Sequence, residues 1–140
     1  MSNKLTKNFI IQEFVSQSFW EKWAERSVWF LDHRIVESVQ TLRDELGVPL
    51  TINNWFYGGN RQASGLRVEG MAEWRPFSQH SFGRALDVVS SKISAEDMRQ
   101  FLYNNKDKFP HVTAIETNVN WLHIDCRETR MNDYFLFNPN

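Results

Sequence analysis

Val112-Thr113-Ala114-Ile115-Glu116-Thr117-Asn118-Val119-Asn120-Trp121-Leu122-His123-Ile124-Asp125-Cys126 reads as two short strands joined by a polar turn. β-Branched and apolar residues fill 112–116 and 121–126, and the four residues between them have the length of a hairpin connection. The second strand alternates. Residues 121, 123 and 125 share one face while Leu122, Ile124 and Cys126 share the other, so the apolar set is expected in the core. His123 and Asp125 then project together from the opposite side of a sheet.

Outward from this hairpin the pattern becomes helical. Ser94 is placed to cap a helix with Glu96 and Asp97 in its first turn, and Met98, Phe101 and Leu102 carry it on until Pro110 forbids it. Residues 84–89 alternate and then run apolar, as a strand does. Further upstream Ile35, Val39, Leu42 and Leu46 lie on one stripe of a helix that Gly47 and Pro49 end. Residues 8–30 carry Phe14, Phe19, Trp20, Trp23, Trp29 and Phe30, which are expected to form one or two shorter helices with their rings in the core. Residues 48–53 read as a further strand. The long segment 54–77, rich in Gly, Asn, Arg and aromatics, has the length of a functional rim or lid, with a short helix near 62–67 as the alternative. Helices first and strands afterwards predict an α+β fold, N-terminal helices packed on a small, mainly antiparallel sheet, with residues 1–140 forming one domain.

Sixteen Lys and Arg against seventeen Asp and Glu leave a net charge of -1, which offers no electrostatic drive toward nucleic acid or anionic lipid. The single cysteine, Cys126, cannot close an intramolecular disulfide or build a thiolate cluster, and on the core face it is expected to be an inert thiol. The N-terminus has no signal-like apolar run and no window is long enough to span a bilayer, so synthesis and folding in a cytoplasm are expected, without membrane insertion.

The chemistry-bearing stretch is Ser78-Gln79-His80-Ser81-Phe82-Gly83-Arg84-Ala85-Leu86-Asp87. It sets an imidazole and a carboxylate on either side of a small-residue turn into a strand. Gly83 lets the chain turn sharply, and Ala85 keeps the face beside Asp87 open. With His123 and Asp125 projecting from the closing strand, His80 and Asp87 can complete a three-ligand zinc site there, and two histidines with one carboxylate leave one position for water, as in catalytic rather than structural zinc. His33 and His111 are expected to be hydrogen-bonded core residues.

Ser78, His80, Gly83, Ala85 and Asp87, followed by a His on a closing strand, resemble the signature of zinc peptidases related to D-Ala-D-Ala carboxypeptidases and hedgehog-type domains. The pattern His-x-x-Gly-x-Ala-x-Asp is expected by chance in about one chain in a thousand of this length. The resemblance rests on residues 78–127 and implies zinc ligation by His80, Asp87 and His123, and peptides of peptidoglycan as substrate. Many relatives carry an acid three positions before the last His, where this chain has Asn120. Its Asn-aromatic-x-His-x-Asp ending is similar to that of a subgroup of murein endopeptidases.

Asp125 is the candidate base or the group orienting the activated water, with an ion pair to Arg127 or Arg84 as the alternative, and Glu116 is the second candidate base. Relatives grip a substrate carboxylate with the Arg of Ser-Gly-Tyr-Arg after the first strand; here that place reads Asn53-Asn54-Trp55-Phe56. Arg61 or Arg67 from the long segment can supply the charge or form a solvated rim. Ser78 is counted with them as substrate-binding. Three functions follow: a zinc peptidase of the cell wall, most simply a phage-type lysin acting once released; a non-catalytic zinc-binding or virion module, which Asn120 favours; and a zinc amidase or peptidase acting on other small peptides.

Overall fold

The fold, described for residues 3–139 in a computed structural model, is built around one amphipathic helix. Ser16 starts the first helix, α1 (Gln17–Trp23), its Oγ accepting the Phe19 N–H, and a 3₁₀ stretch, Ala24–Phe30, follows. Asp32 caps α2 (His33–Leu46) by accepting the Arg34 N–H at 2.9 Å, and Gly47, at φ +67°, closes it with a hydrogen bond to the Arg43 carbonyl. Ile35, Val39 and Leu42 of the expected stripe are fully buried and Leu46 packs at its margin. This face covers the sheet.

The remaining elements are β1 (Ala85–Val88), α3 (Ala95–Asn104), β2 (Ala114–Glu116), β3 (Leu122–Asp125) and β4 (Phe135–Phe137). The strands are ordered β1-β3-β2-β4; β3 is antiparallel to both neighbours, whereas β4 runs parallel to β2. The class is α+β, but the sheet is mixed. Leu122 and Ile124 enter the same core as α2, with Met98 and Leu102 of α3 beside them. Val15, Phe19 and Leu66 form a smaller cluster.

Several expectations need correction. Residues 48–53 contribute only a two-hydrogen-bond bridge between Thr51 and Val89. Pro49 has no N–H to give a ladder, and Asn53 turns its own N–H to the Glu13 carbonyl. Helix α3 ends at Asn104 rather than before Pro110, because the Asn105 amide donates to the Phe101 carbonyl and takes over the end of the helix. Segment 54–77 contains a single 3₁₀ turn, Trp55–Tyr57, and no helix at 62–67. Not all the N-terminal rings are core: Phe14 and Phe19 are buried, but Trp29 is 69% exposed and Phe30 is 40% exposed. No helix among the described residues is long and apolar enough to cross a membrane.

Candidate metal centre

One rung of the sheet forms the floor of the site. The register aligns Asp87 of β1, His123 of β3, Glu116 of β2 and Phe137 of β4 side by side. Cross-strand partners share a face, so these four side chains belong to one row. The neighbouring rung is Ala85, Asp125, Ala114 and Phe135. The two alanines flanking Asp125 leave room for its carboxylate to turn toward His123.

His80 reaches the row from the loop side. It lies in the 3₁₀ turn Gln79–Phe82, where Ser78 Oγ accepts its N–H at 3.2 Å and Gly83, at φ +68°, closes the turn. A Cβ on Gly83 would overlap the Phe30 carbonyl oxygen, so the turn requires glycine for space as well as conformation. His80, Asp87 and His123 are all buried, and their ligand atoms lie within 4.8 Å of one another. These three residues can hold a metal ion.

The inner and outer atoms of the trio have different surroundings. His80 Nε2 is 3.2 Å and His123 Nδ1 is 3.1 Å from the same oxygen, Asp87 Oδ1. Behind them every second atom is held from outside: His80 Nδ1 by the Gly65 carbonyl at 2.8 Å, Asp87 Oδ2 by Arg67 Nη2 at 3.0 Å, and His123 Nε2 by Asp125 Oδ2 at 2.7 Å. A carbonyl only accepts, so Gly65 fixes a proton on His80 Nδ1 and leaves Nε2 to present a lone pair toward Asp87. A lone pair facing a carboxylate needs a cation or an extra proton between them. The donor set therefore fits a divalent ion, with outer partners orienting each ligand as metal sites require.

Burial alone would lower the pKa of His123, but hydrogen bonds to Asp125 and Asp87 overcome it and push it up to about 9. Burial would raise the Asp87 carboxyl; bonds from His123 and His80 instead hold it below the usual carboxylate range. Asp125 is lowered too, with Arg127 and then His123 outweighing its burial. Without metal, His123 is an imidazolium between two carboxylates.

The cleft in front of the trio encloses about 430 Å³, with Arg67, Glu116, Trp121, Arg127 and Phe137 among its walls and Phe77, 86% exposed, at its rim. Glu116 is half-buried, and its carboxylate has no hydrogen-bond partner among the described residues. Asp125 is fully buried behind His123, gripped by Arg127 through two bonds of 2.8 and 2.6 Å. Ser78 and Arg67 also line the cleft, but Arg61 does not; its backbone N–H bonds to Asn54 Oδ1. Asn120 is exposed and outside the cleft. His33 and His111 are not core residues: His33 is exposed, and His111 stands at the surface 3.7 Å from Glu37.

Arg127, Trp121, Gln79 and Phe137 were not singled out from the sequence as site residues. Arg127 and Trp121 continue the 121–123–125 parity, which is the signal that points to them. Ser64-Gly65-Leu66-Arg67, within the long segment, runs beside the site. Its backbone carries the outer contacts: Ser64 accepts the Asp87 N–H and Gly65 accepts from His80. Comparison of the chain with protein-family models, curated proteins and solved structures gives no match.

Proposed function

We propose that this chain is a zinc-dependent peptidase of the D-Ala-D-Ala carboxypeptidase and hedgehog-type kind, hydrolysing peptide bonds in peptidoglycan stem peptides or cross-links. The observation that carries the reading is the convergence of three otherwise unpartnered ligand atoms, each with its rear atom tied down. His80, Asp87 and His123 would hold zinc, which supplies hydroxide near neutral pH and polarises a carbonyl.

The chain's own residues divide the remaining work. Glu116 is the group that takes the proton and passes it to the leaving amine, because it lies on the floor beside His123 with a carboxylate that no described residue engages. Asp125 is a positioning residue. Its oxygens are already occupied by His123 and Arg127, and it does not line the cleft. Arg67 holds the outer oxygen of Asp87 while keeping part of its guanidinium in the cleft. A phage-type lysin that meets its substrate after release is the simplest biological setting.

Digestion of purified peptidoglycan by the zinc-loaded protein, with the fragments identified by mass spectrometry, tests the reading. Stoichiometric zinc and defined peptide fragments are expected. Glu116→Gln should keep zinc and lower cleavage by about 100-fold or more. Stoichiometric zinc with no cleavage of any wall preparation, together with a stable protein partner, would select the second reading, a non-catalytic zinc-binding or virion module. Asn120, where many relatives carry an acid, favours that alternative.

A further inference from the structure

We infer that an aromatic groove behind the metal loop binds the glycan strand from which the stem peptides hang, an inference that rests on the cell-wall reading and adds a separate, sugar-binding site to it. The groove encloses about 830 Å³, close to twice the volume of the metal cleft, and the two share no lining residue. A single wall divides them. Leu66 and Val68 line the groove while Arg67 between them lines the cleft; His80 lines the cleft while Ser81 and Phe82 line the groove. The Arg67 N–H donates to the His80 carbonyl and joins the two segments of this wall. The groove thus lies one thickness of chain from a metal ligand.

The lining suits a chain of pyranose rings. Phe30 packs against Phe19 at 5.2 Å and against Trp23 at 5.1 Å between ring centres, so this platform is in place before a ligand arrives. Trp29 and Phe82, 69% and 49% exposed, leave ring surface open to solvent beside it. A pyranose has a face of C–H bonds, which packs on such rings, and an edge of hydroxyls, which needs polar groups around them. Lys22 and Glu69 line the groove without an ion-pair partner among the described residues, and Ser18 adds a hydroxyl.

Charge separates a sugar from other occupants. The unpaired cation and the unpaired anion balance, and Asp32 is neutralised by two bonds from Arg34, so the lining has no net attraction for a polyanion. An apolar helix would take both charges out of water. Hydroxyls donate and accept, and can meet either charge.

The test uses the full-length metal-free protein and glycan strands freed of their peptides by an amidase, so that no peptide can bind through the metal cleft. Calorimetry should show binding of these strands. Trp29→Ala, which removes an exposed ring and leaves the core intact, should weaken it by about tenfold or more. Tyr57→Ala, also exposed but outside the groove, should retain the wild-type affinity.

No binding of the strands, or equal binding by Trp29→Ala, would overturn the inference. So would a concentration-dependent dimer in sedimentation that Trp29→Ala abolishes, because a second copy would then fill the groove. Cleavage of wall peptides by the zinc-loaded protein is scored separately. Cleavage without strand binding removes the sugar site and leaves the peptidase reading, whereas Trp29-dependent strand binding without cleavage does the reverse.

Discussion

The candidate metal centre joins two regions built on different principles. Asp87 and His123 sit opposite each other in a β-ladder, where the pleat and the register fix their relation. His80 and Arg67 come from residues 64–83, which have almost no regular structure and are held by individual bonds, Leu66 N–H to Phe14 O, Arg67 N–H to His80 O and His80 Nδ1–H to Gly65 O. A ladder averages small errors over several rungs; a chain of single contacts does not. The loop half should therefore fail abruptly and the strand half gradually.

One methyl group is the sharpest way to break that contrast. Gly83→Ala adds a Cβ at φ +68° against the Phe30 carbonyl, and Gly65→Ala adds one against the Phe14 carbonyl, in both cases backbone that cannot step aside. Each should cost about 3 kcal/mol or more in urea unfolding and deplete bound zinc in the purified protein. Ala85→Gly removes a buried methyl from β1 and should cost about 1 kcal/mol with zinc content unchanged. Equal losses in the two halves would abolish the distinction.

Removing a ligand from each half sharpens it. His80→Ala and His123→Ala should both lower zinc affinity by at least about 100-fold in competition with a chelator, since a ligand is worth no less than its outer partner. Their metal-free stabilities should diverge. His123 bridges two buried carboxylates, so its loss leaves like charges without the shared cation and should cost about 3 kcal/mol or more. His80 touches only one carboxylate, and its removal should cost less.

The same contrast explains what could be read from the chain beforehand. Alternation in 121–126 separates His123 and Asp125 from Leu122 and Ile124 because a strand has a period of two, and the Ile35–Val39–Leu42 stripe reports a helix for the equivalent reason. Such periodicity is a local property. The outer contacts of the site are not local: nothing periodic distinguishes Arg67, which reaches Asp87, from Arg61, which does not. Strand β4 is three residues long and exists through its parallel pairing with β2, and the Phe137 ring beneath Arg127 was invisible for that reason. Pro49 and Asn53 overrode an apolar run that looked like a strand, because backbone N–H supply decides whether a ladder can form.

pH should move the two states of the protein in opposite directions. In the metal-free chain the pKa of His123 is raised to about 9 from 6.5, so its contribution to stability is complete below pH 6.5 and disappears as pH rises through about 9. Asp87 and Asp125 are depressed, so theirs is present above the ordinary carboxylate range and lost as acid protonates them. Thermal unfolding without metal should show falling stability between pH 6.5 and 9. Zinc must displace the same proton, and its affinity should climb by up to about tenfold per pH unit across that interval.

Asp125→Asn is predicted to weaken zinc binding less than loss of either histidine ligand, and the size of its effect depends on pH. The variant keeps an oxygen that can accept from His123 Nε2 but removes the charge that helps to hold the imidazole cationic. Weaker orientation should lower zinc affinity by about 10- to 100-fold. The pKa of His123 should fall at the same time, so that near neutral pH zinc displaces less proton from the variant than from the wild type. The second change partly offsets the first. Above pH 9 the proton has left His123 in both proteins, and the loss of affinity reports orientation alone. Competition titrations at neutral pH and above pH 9 should therefore show the larger deficit at the higher pH. A deficit independent of pH would mean that Asp125 orients the ring without governing its charge.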